Sequence, residues 1–139
     1  MNILVAEDDK VVSLLVCGIL RAEGHHVLAA YDQMQTIMFA KKSPSPDVIV
    51  LDLNMPGGAG GEALRRLKSS TVTSAVPVVV LSASTDASAP ELVRKLGGES
   101  FLAKPVDRAT LLVEIDRVTS GSHGAQVKEA PANPRMMYS

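Results

Sequence analysis

Residues 48–58 read VIVLDLNMPGG, an apolar run that leads directly into a carboxylate, Asp52. The run is unbroken by polar residues, which is typical of a strand buried on both faces in a parallel sheet. An ionised carboxylate is costly to bury unless a cation or hydrogen bonds compensate it. We therefore expect Asp52 either to leave the core at the tip of its strand or to meet a cationic partner there.

The rest of the chain repeats this pattern of short apolar runs separated by segments with helical spacing. The other runs cover residues 3–6, 27–30, 78–81 and 101–103, and the helical segments cover about 9–22, 33–41, 61–69, 88–96 and 108–118. This alternation predicts an α/β domain of (βα)5 form, a doubly wound five-stranded parallel sheet between two layers of helices.

Several residues at the predicted helix ends have the chemistry of caps. Asp9 is better explained as a stabiliser of the first helix N-terminus than as a ligand, and Asp32 is predicted to cap the second helix. Ser88 and Glu91 read as a capping box for the fourth helix, with Pro90 in its first turn. Asp107 is a good N-cap for the fifth helix.

Composition limits the classes of protein to consider. A chain of 139 residues with 46% apolar residues suits one domain, which we place at residues 1–120. We expect residues 121–139 to form a flexible tail, although a tag would have the same composition. The 14 basic and 15 acidic residues nearly cancel, which argues against a nucleic-acid binder. A single cysteine, the absence of a signal peptide and the absence of a long apolar run predict a soluble cytoplasmic protein.

Polar side chains gather where the predicted strands end. Glu7 and Asp8 follow the first run, Asp52 follows the third, Ser82 the fourth and Lys104 the fifth. Because ligands bind at the carboxyl ends of the strands in open α/β sheets, these side chains are expected at one edge. Crowded carboxylates repel each other, and a Mg²⁺ ion with its preference for oxygen ligands would relieve that repulsion. Asp52 is then a plausible nucleophile, with Lys104 and Ser82 available to a phosphoryl group.

Four segments carry a resemblance to the receiver domains of bacterial two-component response regulators. They are ILVAEDD at 3–9, VIVLDLNMP at 48–56, VVVLSAS at 78–84 and FLAKP at 101–105. Thirty residues separate Asp52 from Ser82, and twenty-two more lead to Lys104, which is the spacing of the family. The resemblance covers about residues 2–118 and implies the flavodoxin-like, CheY-like three-layer sandwich.

The resemblance also implies roles for individual residues. Asp52 would accept a phosphoryl group from a sensor histidine kinase or a histidine phosphotransferase. Asp8 and Asp52 would ligate Mg²⁺ directly, Glu7 would act through water, and Asn54 would contribute its backbone carbonyl. The domain would be a signalling protein, not an enzyme in the usual sense, and would catalyse only its own phosphotransfer and dephosphorylation.

The resemblance assigns the remaining blocks as well. Ser82 would supply the hydroxyl that binds the phosphoryl group, with Ala83 as its small neighbour. Lys104 would be the phosphoryl-binding lysine, and it would precede a cis peptide bond to Pro105.

Ser82 and Phe101 would form the switch, and the face of helix 4, strand 5 and helix 5 would bind the output partner. Phe101 stands where the family often has Tyr, and the acid usual in the loop after Asp52 is missing from residues 58–61, GAGG.

The first predicted helix has more apolar residues than one buried stripe needs. Residues 11–20 read VVSLLVCGIL, and Val12, Leu15, Val16 and Ile19 fit the stripe best by spacing. Val11 and Leu14 lie outside this stripe and are expected to be exposed. Exposed apolar residues beside an active site often mark a partner site. We predict that Val11, Leu14 and Leu15 form the docking face for the phosphodonor protein, although packing against a neighbour would also explain them.

Two other functions fit part of the sequence. A magnesium phosphohydrolase with an Asp nucleophile commonly has a second acid two residues later, where this chain has Asn54, which cannot act as a general acid or base. The other function is that of a receiver-like protein that binds partners without phosphorylation. Loss of a pocket residue would favour this function, but the principal pocket residues are present. We expect a monomer or weak dimer without nucleic acid or membrane partners, either as a single-domain regulator or as a receiver cut from a larger protein.

Overall fold

The computed structural model describes residues 1–57, 61–83 and 87–120 and has the predicted alternation of strands and helices. The strands are Asn2–Ala6 (β1), His26–Ala30 (β2), Val48–Asp52 (β3), Val78–Ala83 (β4) and Ser100–Lys104 (β5). The helices are Lys10–Ala22 (α1), Gln33–Ala40 (α2), Glu62–Ser69 (α3), Ala89–Leu96 (α4) and Arg108–Ser120 (α5). The predicted tail at 121–139 lies outside the described residues, as does the GAG of the glycine-rich loop at 58–60.

All five strands lie in one parallel sheet in the order β2-β1-β3-β4-β5. The order reverses direction after β1, which is what makes the sheet doubly wound and confirms the predicted fold class. Since the strands are parallel, their carboxyl ends meet at one edge. Three of the predicted site residues, Asp52, Ser82 and Lys104, belong to the strands themselves and do not merely follow them.

Two apolar cores lie on the two faces of the sheet, and side chains of β3 alternate between them. Ile49 and Leu51 pack with residues of α2, α3 and α4, whereas Val48 and Val50 pack with residues of α1 and α5. All the side chains of β3 are buried, including that of Asp52. The unbroken apolar run therefore has the double-sided burial that the sequence predicted.

The caps at three helix N-termini agree with the sequence. The Asp9 carboxylate accepts hydrogen bonds from the backbone N–H groups of α1, and Asp32 and Asp107 do the same for α2 and α5. The capping box predicted for α4 is wrong. Ser88 has helical backbone angles (φ −88°, ψ −11°) instead of the extended ones that a capping side chain needs, and the Glu91 carboxylate pairs with Arg94.

The buried stripe of α1 differs from the one that apolar spacing predicts. Ser13 and Cys17 face the core with Val16 and Leu20, whereas Leu15 is 51% exposed. Ser13 and Cys17 are small enough to lie beneath the helix, and their Oγ and Sγ atoms are 3.9 Å apart. Spacing of large apolar residues alone could not show this rotation. None of the helices in the described part of the chain is long and apolar enough to span a membrane.

Candidate functional site

The carboxyl edge of the sheet brings together Glu7 and Asp8 after β1 with Asp52 at the end of β3. One carboxylate oxygen from each of these residues lies within 4.8 Å of the others. The cluster forms because β1 and β3 are neighbouring strands, with Ala6 beside Leu51 in the register. Glu7 and Asp52 are buried and Asp8 is exposed, so the cluster opens to solvent on one side.

A lysine from the far edge of the sheet reaches this cluster. The Nζ atom of Lys104, the last residue of β5, lies 2.8 Å from Glu7 Oε1 and 3.5 Å from Asp52 Oδ1. Asp52 is 6% exposed and stays within its strand. Of the two expectations for Asp52, the structure therefore supports the second: the carboxylate remains buried and meets a cation. The Lys104–Pro105 peptide bond is cis, as predicted.

Burial shifts the ionisation of both inner carboxyl groups. It raises the pKa of Glu7 from 4.5 to about 7, although hydrogen bonds from Lys104 and from the Asp9 backbone N–H oppose this rise. It also raises the pKa of Asp52, against the 3.2 Å hydrogen bond donated by the Asn54 backbone N–H. Burial lowers the pKa of Lys104, but the two carboxylates outweigh it, so this pKa is raised overall.

The donors at the site fit a hard divalent cation. Three carboxylates lie together with one lysine, so the ionised cluster carries more negative than positive charge. The backbone carbonyl of Asn54 makes no hydrogen bond with any other described residue, so it is available as a ligand. An all-oxygen set of carboxylates with an open side is the kind of site that Mg²⁺ occupies.

The hydroxyl of Ser82 is buried near the end of β4, one residue beyond the register neighbour of Asp52. Ser82 is fully buried, and its Oγ atom has no hydrogen-bond partner in the described part of the chain. A buried hydroxyl usually has a partner, so this atom is suited to an oxygen that arrives with a ligand. Ala83, the next residue, is exposed and leaves that side of the site open.

Phe101 and the predicted docking residues lie outside the acidic cluster. Phe101 is half-buried and packs against the core beneath α2, α3 and α4. Val11, Leu14 and Leu15 are 76%, 71% and 51% exposed on α1, so the apolar residues proposed for docking do face solvent. Their exposure excludes packing within this domain as an explanation for Val11 and Leu14.

The sequence analysis missed a contact between α2 and the loop after Asp52. The backbone N–H of Gln33, the first residue of α2, donates a 3.2 Å hydrogen bond to the carbonyl of Pro56. No motif in the sequence marks Gln33, because a backbone donor leaves no signature in residue type.

Comparison with known proteins agrees with this geometry. Residues 3–116 match the model of the response regulator receiver domain. The chain belongs to this family. Receiver domains are signalling domains of two-component systems. The family predicted from the four sequence blocks is thus confirmed.

The relatives of this receiver domain include proteins of similar length and longer ones. Protein PilH of Pseudomonas aeruginosa is 32% identical over 120 residues, which cover 86% of this chain and 98% of PilH. The KDP operon transcriptional regulatory protein KdpE of Escherichia coli is 32% identical over 130 residues, which cover 94% of this chain and 56% of KdpE. The chain therefore spans little more than half of that second relative.

A solved structure of a receiver domain matches the fold of this chain. It is the receiver domain of the sensor histidine kinase PA1611 from Pseudomonas aeruginosa, with a magnesium ion coordinated in its active-site cleft. It is 28% identical, has a TM-score of 0.77, and the match covers 86% of this chain and 97% of that one.

Proposed function

We propose that Asp52 is the phosphoacceptor of this receiver domain and takes its phosphoryl group from a phosphohistidine of a kinase or histidine phosphotransferase. A carboxylate oxygen of Asp52 attacks phosphorus, the bond from phosphorus to the histidine nitrogen breaks, and the imidazole leaves with the electron pair. The observation that supports this most directly is the burial of Asp52 within 3.5 Å of the Lys104 ammonium. We place the protein in the cytoplasm, where histidine kinases use ATP to form such phosphohistidines.

The surrounding residues have separate tasks in the proposed transfer. Lys104 neutralises one phosphoryl oxygen, and the unpartnered Ser82 hydroxyl donates a hydrogen bond to another. Asp8, Asp52 and the Asn54 carbonyl would hold Mg²⁺ directly, with Glu7 acting through a water molecule. The bound ion would offset the charge that collects between the phosphoryl group and the carboxylates. The same site would later admit water to hydrolyse the acyl phosphate, so that the signal ends.

The experiment that tests this function is direct labelling with a small phosphodonor. Acetyl phosphate with Mg²⁺ should add one phosphoryl group, which peptide mass spectrometry should place on Asp52. The same incubation without Mg²⁺ serves as the control. Absence of labelling under conditions that phosphorylate another receiver would contradict the proposal and favour a protein that binds partners without phosphorylation. Turnover of external phosphate esters would instead favour a phosphohydrolase.

We further propose that α1 is the docking face for the phosphodonor protein. Replacing Leu14 by Ser should slow transfer from the phosphorylated donor protein by about ten- to a hundredfold, because an apolar side chain that is buried on docking contributes about 1.5–3 kcal/mol. Labelling by acetyl phosphate should not change, since that donor needs no docking surface. The measurement is the initial transfer rate from each donor.

A matched control for this variant is available in the loop between α3 and β4. Val72 is 61% exposed and lies at the opposite edge of the sheet from Asp52. Replacing Val72 by Ser should leave transfer from both donors unchanged. Equal rates for the wild type and the Leu14→Ser variant with the protein donor would remove α1 as the docking face.

We also propose that phosphorylation shifts the face built from α4, β5 and α5, which would bind the output partner. Ser82 lies on the same face of the sheet as Val80, and Val80 is the register neighbour of Phe101. A phosphoryl group that engages Ser82 therefore pulls on β4 next to the Phe101 ring. Two charge-assisted hydrogen bonds, at roughly 1.5–3 kcal/mol each, approach the ~5.5 kcal/mol that moves a population from 1:99 to 99:1.

Amide NMR of the protein with and without beryllofluoride and Mg²⁺ should detect this shift. Large chemical-shift changes are expected from Ser82 to Leu96 and around Phe101, and Ser82→Ala should reduce them. Ser100→Ala is a matched control, because Ser100 is another buried strand serine, with its hydroxyl bound to Glu114 at 2.6 Å. Changes confined to the acidic cluster would mean that the output signal takes another route.

A further inference from the structure

The loop that follows Asp52 is held against the first turn of α2. The Gln33 N–H donates to the Pro56 carbonyl at 3.2 Å. One turn further along α2, the Thr36 Oγ1 atom lies 4.0 Å from the sulfur of Met55, and both side chains are buried. These contacts fix the part of the loop that lies beyond Asn54.

The near end of the same loop is fixed from a different direction. The Leu53 N–H donates to the carbonyl of Leu81 at 2.9 Å, and the Leu53 carbonyl accepts from the Gly61 N–H at 3.1 Å. Asn54 is an exposed residue between these two anchored parts of the loop, and its own N–H donates to Asp52 Oδ1 at 3.2 Å. These anchors restrict the backbone rotations of Asn54 and so limit the directions in which its carbonyl can point.

The close approach of α2 to the loop depends on Gly57. Its φ is +111°, and an added Cβ would lie 3.2 Å from the Cβ of Gln33. Gln33 is 2% exposed, and its Oε1 atom has no hydrogen-bond partner in the described ranges. The Gln33 side chain thus contributes packing against Gly57, while its backbone N–H supplies the hydrogen bond to the loop.

We propose that the backbone N–H of Gln33 is a positioning group that orients the Asn54 carbonyl toward the divalent cation of the site. This inference rests on the proposed function, because that function places the cation there. Without the hydrogen bond, residues 55–57 can move away from α2, and the Asn54 carbonyl loses its fixed direction. A ligand that must be reoriented on binding lowers the affinity for the metal.

Replacing Gln33 by Pro removes this hydrogen-bond donor and puts a ring methylene in its place, so the Pro56 carbonyl must move away from α2 while the helix itself tolerates the change. Gln33 is the first residue of α2, where proline is well tolerated, and Asp32 before it has the extended angles (φ −151°, ψ 175°) that a following proline requires. Gln33→Met is the matched control, since it keeps the N–H and the length of the side chain. We expect the Gln33→Pro variant to have a Kd for Mg²⁺ that is about three- to tenfold higher, the range for one lost hydrogen bond, and Gln33→Met to stay within about twofold of the wild type.

The readout is an NMR titration with Mg²⁺ alone, followed at the amides of residues 52–55, with a thermal melt of each variant. Equal Kd values for Gln33→Pro and the wild type, or an equal loss in both variants, would overturn the inference. If the proline variant does not fold, hydrogen exchange of the wild type decides: Mg²⁺ should slow exchange of the Gln33 amide, and an unchanged rate would overturn the inference. A wild type that binds no Mg²⁺ would instead contradict the proposed function itself.

Discussion

The Asp52→Asn variant should not retain a phosphoryl group and should have a higher free energy of unfolding than the metal-free wild type. Phosphorylation is lost because an amide oxygen is too weak a nucleophile to displace the phosphoryl group from its donor. Stability rises because the wild type buries Asp52 beside Glu7, and burial raises the pKa of both carboxyl groups. The amide keeps an acceptor for the Asn54 N–H and removes one charge. We expect a gain of about 1 kcal/mol, within the range of about 0.5–2 kcal/mol for single stabilising substitutions.

Two measurements check this result on the same protein samples. Intact-mass spectrometry after incubation with acetyl phosphate and Mg²⁺ should show no phosphoryl adduct, and urea unfolding in EDTA should give the higher midpoint. Asp116→Asn is the control, because Asp116 is an exposed carboxylate on α5 and should affect neither labelling nor stability. An adduct formed at the wild-type rate would show that another residue is the acceptor.

The sequence was sufficient to predict the sheet and the edge that carries the site. Each strand contains an unbroken apolar run, and parallel topology places the carboxyl ends of all strands at one edge, so Asp52 and Lys104 are expected at the same edge. The sequence could not show that these residues belong to the strands, because a charged residue at the end of an apolar run looks like the start of a loop. The structure shows that Ala83 and Lys104 are register neighbours, so β4 and β5 continue to the site.

The wrong predictions concern features that depend on backbone geometry and helix rotation and not on residue type. Leu15 was assigned to the buried stripe of α1, but the helix is rotated so that Ser13 and Cys17 face the core. Ser88 has the residue type of a cap and the wrong backbone angles for one. The hydrogen bond from Gln33 to Pro56 uses backbone atoms on both sides. None of these features changes the hydrophobic pattern from which the fold was read.

The Lys104→Met variant should phosphorylate slowly and become less stable as the pH rises. Methionine preserves most of the length of the side chain and removes the ammonium group that lies 3.5 Å from Asp52 Oδ1. A phosphoryl oxygen then gains charge during transfer without its cationic partner. Removal of one such stabilising group typically costs about 10²–10³ in rate. We expect that loss in the rate of labelling by acetyl phosphate at saturating Mg²⁺.

The effect on stability follows from the ionisation of Glu7, which is 1% exposed and lies 2.8 Å from Lys104 Nζ. In the wild type the pKa of Glu7 is raised to about 7, whereas an unfolded glutamate has a pKa near 4.5. Between these values the folded state holds a proton that the unfolded state has lost. The free energy of unfolding therefore falls as the pH rises through this window, and the fall ends just above pH 7.

Without Lys104, the pKa of Glu7 should rise further, so the loss of stability should continue to higher pH. At pH 5 Glu7 is protonated in both folded proteins, so the difference between their unfolding free energies should be smaller than at higher pH. At pH 8 the variant must either bury an unpaired carboxylate or take up a proton, and we expect it to be less stable than the wild type by roughly 3 kcal/mol. Urea unfolding of the metal-free proteins at the two pH values measures this difference.

Lys68→Met separates this effect from the general loss of a partly buried lysine. Lys68 pairs with Glu99 at 2.8 Å and also donates to the backbone carbonyl of Val76, far from the acidic cluster. Its replacement should lower stability without slowing the labelling of Asp52. A Lys104→Met protein that labels at the wild-type rate would contradict the role assigned to Lys104. A stability difference from the wild type that is the same at pH 5 and pH 8 would show that Glu7 does not depend on Lys104 for its charge.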